Sequence, residues 1–144
     1  MAAASGREPA LHFVVQEHRA RTRHWDFRLE MNGVLRSWAV PKGPPAAPGI
    51  RRLAVATADH PPAYLNFEGV IPPGQYGAGT VRIWDRGTYR LVKATGDEIK
   101  VDLFGTRLRG RYVLIRLHDH PGRWIWMQVA PAAPPVPADP AGRS

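Results

Sequence analysis

The stretch "HWDFRLEMNGVLRSWAV", residues 24–40, alternates apolar and polar side chains on both sides of an Asn-Gly pair. Alternation with a period of two places successive side chains on opposite faces of a β-strand. An Asn-Gly pair between two such runs is a strong short-range signal for a tight β-hairpin turn. The stretch therefore predicts two antiparallel strands joined at Asn32 and Gly33.

The rest of the chain has the same character, with short apolar runs separated by Gly, Pro and Asp. The runs rich in strand-forming residues are "LHFVVQE" (11–17), "RRLAVATAD" (51–59), "TVRIWD" (80–85), "TYRLVK" (88–93), "EIKVDLF" (98–104), "RYVLIRL" (111–117) and "WIWMQVA" (124–130). The segments "DRGT" (85–88) and "TGDE" (95–98) have the composition of turns, and any helix is expected to be short, near residues 61–67. The pattern predicts an all-β fold with few short helices, either a small antiparallel β-barrel or a sandwich.

The domain organisation follows from length and composition. The 144 residues suit one domain with a modest core. We expect this β domain to occupy residues 11–130, after a flexible N-terminal segment at 1–10. Residues 131–144, "PAAPPVPADPAGRS", are rich in Pro and Ala, which predicts a disordered tail.

Charge and composition narrow the classes of partner and chemistry. Twenty Lys and Arg against twelve Asp and Glu give a net charge of +8, which favours an anionic partner, nucleic acid first. The absence of cysteine excludes disulfides, zinc ribbons and thiol nucleophiles. No apolar run reaches the roughly 18 residues of a membrane span, and no signal peptide is visible. A soluble cytoplasmic protein is therefore expected.

A candidate metal site follows from the alternation of the first strand of the hairpin. His24, Asp26 and Arg28 share one face, while Trp25 and its apolar neighbours share the other. His18, on the preceding strand, can be brought to the polar face by the intervening "RARTR". Two imidazoles and one carboxylate suit a divalent ion such as manganese, iron or zinc. The alternative is a solvent-facing strand whose histidine and aspartate are merely polar.

A second polar face is predicted on the strand at 51–59. By parity Arg52 and His60 share a face with three alanines, which leaves room for a ligand, although a packed face of small residues is the alternative. Arginine forks onto phosphate oxygens, so Arg28 and Arg52 together would clamp a phosphate beside the metal. His118 and His120 of "LHDHPG" form a weaker metal candidate at a strand end.

These motifs, in this order, resemble a known family. "FVVQEHRARTRHWDFRLEMNGVLRSWAVPKGP" followed by "RRLAVATADHPPAYLNFEGVIPPGQYGAGTVRIWDRGTY" is similar to the 3′-phosphoesterase domain of bacterial DNA ligase D and its free-standing relatives. The resemblance implies a small β-barrel enzyme of end-joining repair, dependent on Mn²⁺. Such an enzyme removes 3′-terminal ribonucleosides and 3′-phosphates from DNA and leaves 3′-hydroxyl ends.

The resemblance also implies roles for individual residues and for partners. The implied metal ligands are His18, His24 and Asp26. The implied catalytic residues are His60, Arg28, Arg52 and Tyr64, and the implied substrate-binding residues are Gln16, Lys42, Arg28 and Arg52. The partner would be DNA or a primer-template with a 3′-phosphate or 3′-ribonucleotide end, processed by a monomer, with a DNA ligase or polymerase acting in trans.

Two other functions fit parts of the sequence. His24, Asp26 and a distal His60 could form the 2-His-1-carboxylate triad of an iron oxygenase. The charge and the aromatic residues also suit a non-catalytic β-barrel that binds nucleic acid. Oxygen consumption would identify the first, and phosphate release would separate the phosphoesterase from both.

Overall fold

The computed structural model describes residues 10–131. The segment expected to be flexible and the Pro/Ala-rich tail, apart from residues 10 and 131, lie outside the described residues. The strands are β1 (Leu11–Arg19), β2 (Arg23–Met31), β3 (Val34–Val40), β4 (Arg52–His60), β5 (Gly69–Ile71), β6 (Gly79–Ala94), β7 (Glu98–Phe104), β8 (Arg109–Arg116) and β9 (Arg123–Pro131). A 3₁₀ turn, Pro62–Asn66, lies where the short helix was expected. Residues 10–131 contain no helix with the length and hydropathy that a membrane span requires.

All nine strands form one antiparallel sheet that closes on itself. The order is β1-β2-β3-β4-β9-β8-β7-β6-β5, and β1 also pairs with β6, so eight strands make a closed ring to which β5 is attached. This confirms the all-β antiparallel class. The ring has an inner face, which holds the core, and an outer face, on which polar strand residues can be covered or exposed.

The hairpin at residues 24–40 forms as predicted. Asn32 and Gly33 both have positive φ, 53° and 83°, as a type I′ turn requires. The tight turn sets the register, because Met31 pairs with Val34 and every pair up to Trp25 with Val40 follows. One sequence signal therefore fixes which residues of β2 and β3 stand side by side.

Residues 80–85 and 88–93 are extended as predicted, but the prediction of a turn between them was wrong. The segment "DRGT" is not a turn, since β6 runs without interruption from Gly79 to Ala94. This long strand pairs with β1 along one side, and with β5 and then β7 along the other. The short strand β5 was not predicted. The "TGDE" turn does form, between β6 and β7, where the Thr95 N–H donates to the Glu98 carbonyl at 2.8 Å.

Asp85 and Gly87 have structural roles that explain their turn-like composition. The buried Asp85 carboxylate accepts the backbone N–H groups of four residues, Arg86, Thr106, Arg107 and Leu108, at 2.7–3.0 Å. It thus holds the loop between β7 and β8 against β6. At Gly87, a Cβ would collide with the carbonyl oxygen of Phe104. Asp85 and Gly87 therefore allow β6 and the loop between β7 and β8 to lie close together.

The core fills the inside of the ring and is built around aromatic side chains. Phe27 stacks on Trp126 with ring centroids 4.0 Å apart and planes 6° apart. Phe13 meets Phe27 edge-on at 6.3 Å, and Trp38 meets Trp124 edge-on at 5.7 Å. Such contacts add to the free energy of burying the rings. The apolar residues of β2 that alternate with its polar ones therefore anchor the strand to the interior.

Truncating Phe27 should destabilise the protein far more than truncating its neighbour Trp25. Phe27→Ala is expected to lower the free energy of unfolding by about 3–5 kcal/mol, because the ring is fully buried in the core. Trp25 shares the apolar face of β2, and the same loss was predicted for Trp25→Ala if the side chain were fully buried, but Trp25 is only partly buried, so a smaller loss is expected. Urea denaturation measures both, with Phe104→Ala, whose ring is 46% exposed, as a control for loss of a phenyl group. Equal losses for Phe27→Ala and Phe104→Ala would contradict the packing described above.

Candidate active site

A pocket of about 340 Å³ lies on the outer face of the ring. Along the paired strands β1 and β2, Val15 and Phe27 point into the core, so the adjacent pair Gln16 and Asp26 points outward. Residues 61–78, which we call the covering segment, pass over this face and contribute Tyr64, Ile71, Tyr76 and Gly77 to the pocket wall. The cover explains why polar outer-face residues are buried.

Three of the predicted metal ligands meet in this pocket. His18 and His24 are directly opposite each other in the β1–β2 register, and Asp26 is two residues further along β2 on the same face. One ligand atom from each residue lies within 4.8 Å of the others. His60, which an oxygenase triad would need, is not part of this group in the described chain.

The hydrogen bonds of the two imidazoles direct their free nitrogens at the carboxylate. His18 donates its Nε2–H to the Gly77 carbonyl at 2.7 Å, and Nδ1 of His24 lies 3.4 Å from the Thr22 carbonyl. The remaining nitrogens, Nδ1 of His18 and Nε2 of His24, lie 3.5 and 3.2 Å from the oxygens of Asp26. A lone pair on either nitrogen would repel the carboxylate unless a cation, either a proton or a metal ion, lies between them, so this donor set fits a divalent metal.

The electrostatics keep the carboxylate ionised. The hydrogen bond to Asp26 raises the pKa of His24, because it favours the protonated imidazole. Burial raises the pKa of Asp26, but the hydrogen bond from His24 and the charge of Arg28 outweigh burial, so this pKa lies below its ordinary value. A buried, ionised carboxylate between two imidazoles is the form that a metal ion binds.

Arg28 lies beside the candidate metal ligands and is only 4% exposed. Its Nε donates to Gln16 Oε1 at 2.7 Å, its Nη1 donates to Ser37 Oγ at 2.8 Å, and its Nη2 is 3.5 Å from Asp26 Oδ2. The guanidinium also lies over the ring of Tyr64, 4.9 Å from the centroid. These contacts fix a positive charge at the pocket wall, where a phosphate oxygen could bind.

His60 can form either of two alternative hydrogen bonds through the same ring nitrogen. Its Nδ1 lies 3.1 Å from Nη1 of Arg28 and 3.0 Å from the carbonyl oxygen of Ala58. Arginine can only donate and a carbonyl can only accept, so the tautomer of the ring decides which bond forms. Burial and then the charge of Arg28 lower the pKa of His60, which favours the neutral ring. Tyr64 packs against the same imidazole, with ring centroids 4.7 Å apart.

The structure does not bring Arg52 into this pocket. Arg52 and His60 were expected to share a face, but the β3–β4 register shifts between Ser37, paired with Thr57, and Leu35, paired with His60. The extra residue in β4 reverses the parity, so His60 joins Thr57 on the pocket side. Arg52 keeps the parity of the fully buried core residue Ala54. It therefore lies on the inner face, and the predicted phosphate clamp with Arg28 does not form.

Gln16 and Lys42 are also absent from the residues that line the pocket. Gln16 is fully buried, and its side-chain amide donates to the carbonyls of Tyr64 and Phe67 at 2.9 and 3.1 Å. Its oxygen accepts from Arg28, so Gln16 ties the covering segment to the arginine and positions both. Lys42 is exposed just after β3.

Two pocket features were missed from sequence. Ser37 holds Arg28 and in turn donates to the Leu35 carbonyl at 3.1 Å. The Asn-Gly turn could have revealed the contact between Ser37 and Arg28, because the register that a two-residue turn sets places Ser37 opposite Arg28. No sequence signal places Tyr76 and Gly77 at the pocket wall, because the covering segment is distant from β1 in sequence and contacts it only in the folded protein. His118 lies elsewhere, exposed and 3.7 Å from Asp97.

Comparisons with known proteins agree with this geometry. The family model described as the DNA Ligase D 3′-phosphoesterase domain matches residues 16–116. The multifunctional non-homologous end joining DNA repair protein LigD of Mycobacterium tuberculosis is 53% identical over 117 residues, covering 78% of this chain and 15% of the relative. The multifunctional non-homologous end joining protein LigD of Pseudomonas aeruginosa is 46% identical over 134 residues, covering 84% of this chain and 16% of the relative.

The chain thus spans about one sixth of the length of these relatives. The matched region contains the candidate metal ligands, Arg28, His60 and the covering segment. A family model that covers most of the chain, together with two relatives near 50% identity, is sufficient to assign the family. The chain belongs to the DNA ligase D 3′-phosphoesterase domain family.

Proposed function

We propose that this protein is a phosphoesterase that processes DNA 3′ ends for end joining and uses a divalent metal, with Mn²⁺ as the expected ion. It would remove 3′-phosphates and 3′-terminal ribonucleosides and leave 3′-hydroxyl ends, on which a ligase or polymerase could act in trans. The observation that carries the proposal is the group of His18, His24 and Asp26, of which His18 and Asp26 are buried, in one pocket with Arg28 and His60. Family membership supports the reaction class.

The metal would be held by Nδ1 of His18, Nε2 of His24 and a carboxylate oxygen of Asp26. Both imidazoles are already oriented by hydrogen bonds from their other nitrogen to backbone carbonyls, as in many metal sites. A bound divalent ion supplies Lewis acidity toward a phosphoryl oxygen and lowers the pKa of a bound water.

The residues around the metal ligands would bind the phosphate and handle a proton. Arg28 presents a fixed guanidinium, whose charge and donors favour the developing charge on phosphate oxygens. When Nδ1 of His60 accepts from Arg28, the proton of the neutral ring is on Nε2, from which it can be donated to a leaving oxygen. Tyr64 limits the movement of both groups, since its ring packs against each of them.

The decisive experiment is phosphate release from a 3′-phosphorylated oligonucleotide, with and without Mn²⁺. Release that requires a divalent metal would support the proposal, and a 3′-ribonucleotide-terminated oligonucleotide would test the second activity. Absence of release with Mn²⁺, Zn²⁺, Co²⁺ and Mg²⁺ alike would contradict the function, and retained DNA binding would then favour the non-catalytic alternative.

His60→Ala should reduce phosphate release by roughly 10²–10⁴-fold, the range for loss of a general acid or base. Bound metal should be retained, because the ligands His18, His24 and Asp26 remain. His120→Ala is the matched control and should change neither quantity, since this exposed histidine is outside the pocket. Metal content by mass spectrometry and a phosphate assay measure the two effects. Loss of metal in His60→Ala would show that His60 is itself a ligand.

The +8 charge predicts that affinity for single-stranded DNA falls steeply with salt, because bound phosphates release counterions. A groove lined by Arg19 and Arg82 adjoins the active-site pocket at Val81, which lines both. Replacing both arginines with alanine should make the negative slope of the logarithm of the binding constant against the logarithm of the salt concentration shallower by roughly 1 to 2. Fluorescence anisotropy over a salt series measures this slope. An unchanged slope would show that the strand does not follow this groove.

A further inference from the structure

Tyr76 stands out because its side chain is 99% exposed, although it lines the pocket that holds the candidate metal ligands. The next most exposed Phe, Tyr or Trp side chain in residues 10–131 is that of Phe104, which is 46% exposed and lies outside this pocket. A solvated phenol ring contributes little to folding, since it buries no apolar surface. Its position at the pocket therefore calls for an explanation other than stability.

The backbone that carries Tyr76 is fixed relative to the metal ligands. The carbonyl of the next residue, Gly77, accepts the Nε2–H of His18 at 2.7 Å. Two backbone hydrogen bonds flank Tyr76 in the chain. The Gln75 N–H donates to the Pro72 carbonyl at 3.3 Å, and the Ala78 N–H donates to the Gln75 carbonyl at 3.1 Å. A ring on such a tethered turn loses less conformational freedom when a ligand covers it.

The chemistry of the substrate indicates what would cover this ring. A 3′-phosphate held by Arg28 is joined through one sugar to a nucleobase, which must lie near the rim of the pocket. Tyr64, the other tyrosine of the pocket, already packs against Arg28 and Phe67. Aromatic stacking accepts any base, because every base has a π-face. An enzyme that processes broken ends needs this tolerance, since the terminal base is not fixed.

We propose that Tyr76 stacks on the nucleobase of the 3′-terminal nucleotide, so that 3′-phosphate esters of nucleotides are preferred to simple phosphate esters as substrates. This inference rests on the proposed 3′-end phosphoesterase function and adds the group that recognises the base of the nucleotide whose 3′-oxygen carries the phosphate. Tyr76 is a binding residue, and its contribution should be in KM more than in kcat.

The kinetic test compares Tyr76→Ala with Tyr76→Phe on two 3′-phosphorylated oligonucleotides, one with a normal terminal base and one with an abasic terminal sugar. On the normal oligonucleotide, Tyr76→Ala should raise KM by roughly 5- to 150-fold, as loss of one base–aromatic stack does. Tyr76→Phe, which keeps the ring, should remain near wild type. On the abasic oligonucleotide, wild type and Tyr76→Ala should have equal KM. An unchanged KM on the normal oligonucleotide, or an equal rise on both, would overturn the proposal.

A binding measurement separates this inference from the proposed function. An oligonucleotide with terminal 2-aminopurine should lose fluorescence when it binds wild type or Tyr76→Phe, because stacking quenches the base, and should lose much less with Tyr76→Ala. If wild type releases no phosphate, the proposed function fails, and the quenching still decides whether Tyr76 stacks on a base. Equal quenching with Tyr76→Ala would overturn the stacking proposal even in an active enzyme.

Discussion

His24→Ala and Asp26→Ala should each reduce metal-dependent phosphate release by roughly 10³-fold or more, since a catalytic metal contributes several kcal/mol to the stability of the transition state. Each change removes one of three groups whose ligand atoms lie within 4.8 Å of one another. Bound Mn²⁺, measured by mass spectrometry after dialysis, should fall with activity. His12→Ala is the matched control, because this exposed histidine lies on the same sheet but bonds to Glu30.

The two variants should differ in stability. From the alternation of β2, which turns both side chains away from the core, the fold was predicted to stay intact in both variants. His24 is partly exposed, so little change in thermal stability is expected. Asp26 is 7% exposed beside the buried Arg28, and its loss should cost about 1–3 kcal/mol, because it leaves the buried guanidinium without its carboxylate partner. Normal metal content in either variant would show that the ion binds elsewhere.

Asp85→Ala should lower the free energy of unfolding by about 4 kcal/mol. This loss is larger than the one expected for Asp26→Ala. The carboxylate accepts four backbone N–H groups, three of them from the loop between β7 and β8. Without it these donors lose their partner, and water reaches them only if the loop moves. Urea denaturation measures the loss as a change in the free energy of unfolding.

The control for Asp85 is Asp97→Ala, at a side chain that is 58% exposed and pairs with Arg116. Its loss should stay within about 1 kcal/mol, as for other surface ion pairs. Asp85→Asn should lie between the two, because an amide oxygen accepts some of the N–H groups while its NH₂ faces the others. If Asp85→Ala were as stable as Asp97→Ala, the loop would not depend on this carboxylate.

The parts of the fold that sequence could predict are those set by local chemistry. Asn32 and Gly33 fix the hairpin, and the alternation of β2 gives the outward face of His24, Asp26 and Arg28. The same reasoning failed at Asp85 and Gly87, because residues that favour turns also suit a strand that closely approaches a second segment. Composition alone does not distinguish the two uses.

The candidate site shows a similar limit. Arg52 was assigned to the pocket by counting along β4, and one extra residue near Ala58 and Asp59 was enough to reverse that parity. The placement of Gln16 depends on its bonds to the carbonyls of Tyr64 and Phe67, which are distant in sequence. A strand bulge, and a segment that covers residues distant from it in sequence, produce no periodic pattern in the sequence. Both are therefore recognised only in the three-dimensional structure.

Closure of the sheet also affects how the protein behaves beside other chains. Every strand of the ring has a neighbour on both sides, and among the described strands β5 alone has a single partner. Open strand edges are the templates on which β proteins aggregate or exchange segments. β5 spans three residues, from Gly69 to Ile71, and is too short to recruit a long foreign strand. The domain can therefore be concentrated, or joined to other folded units, with little risk of edge-to-edge association.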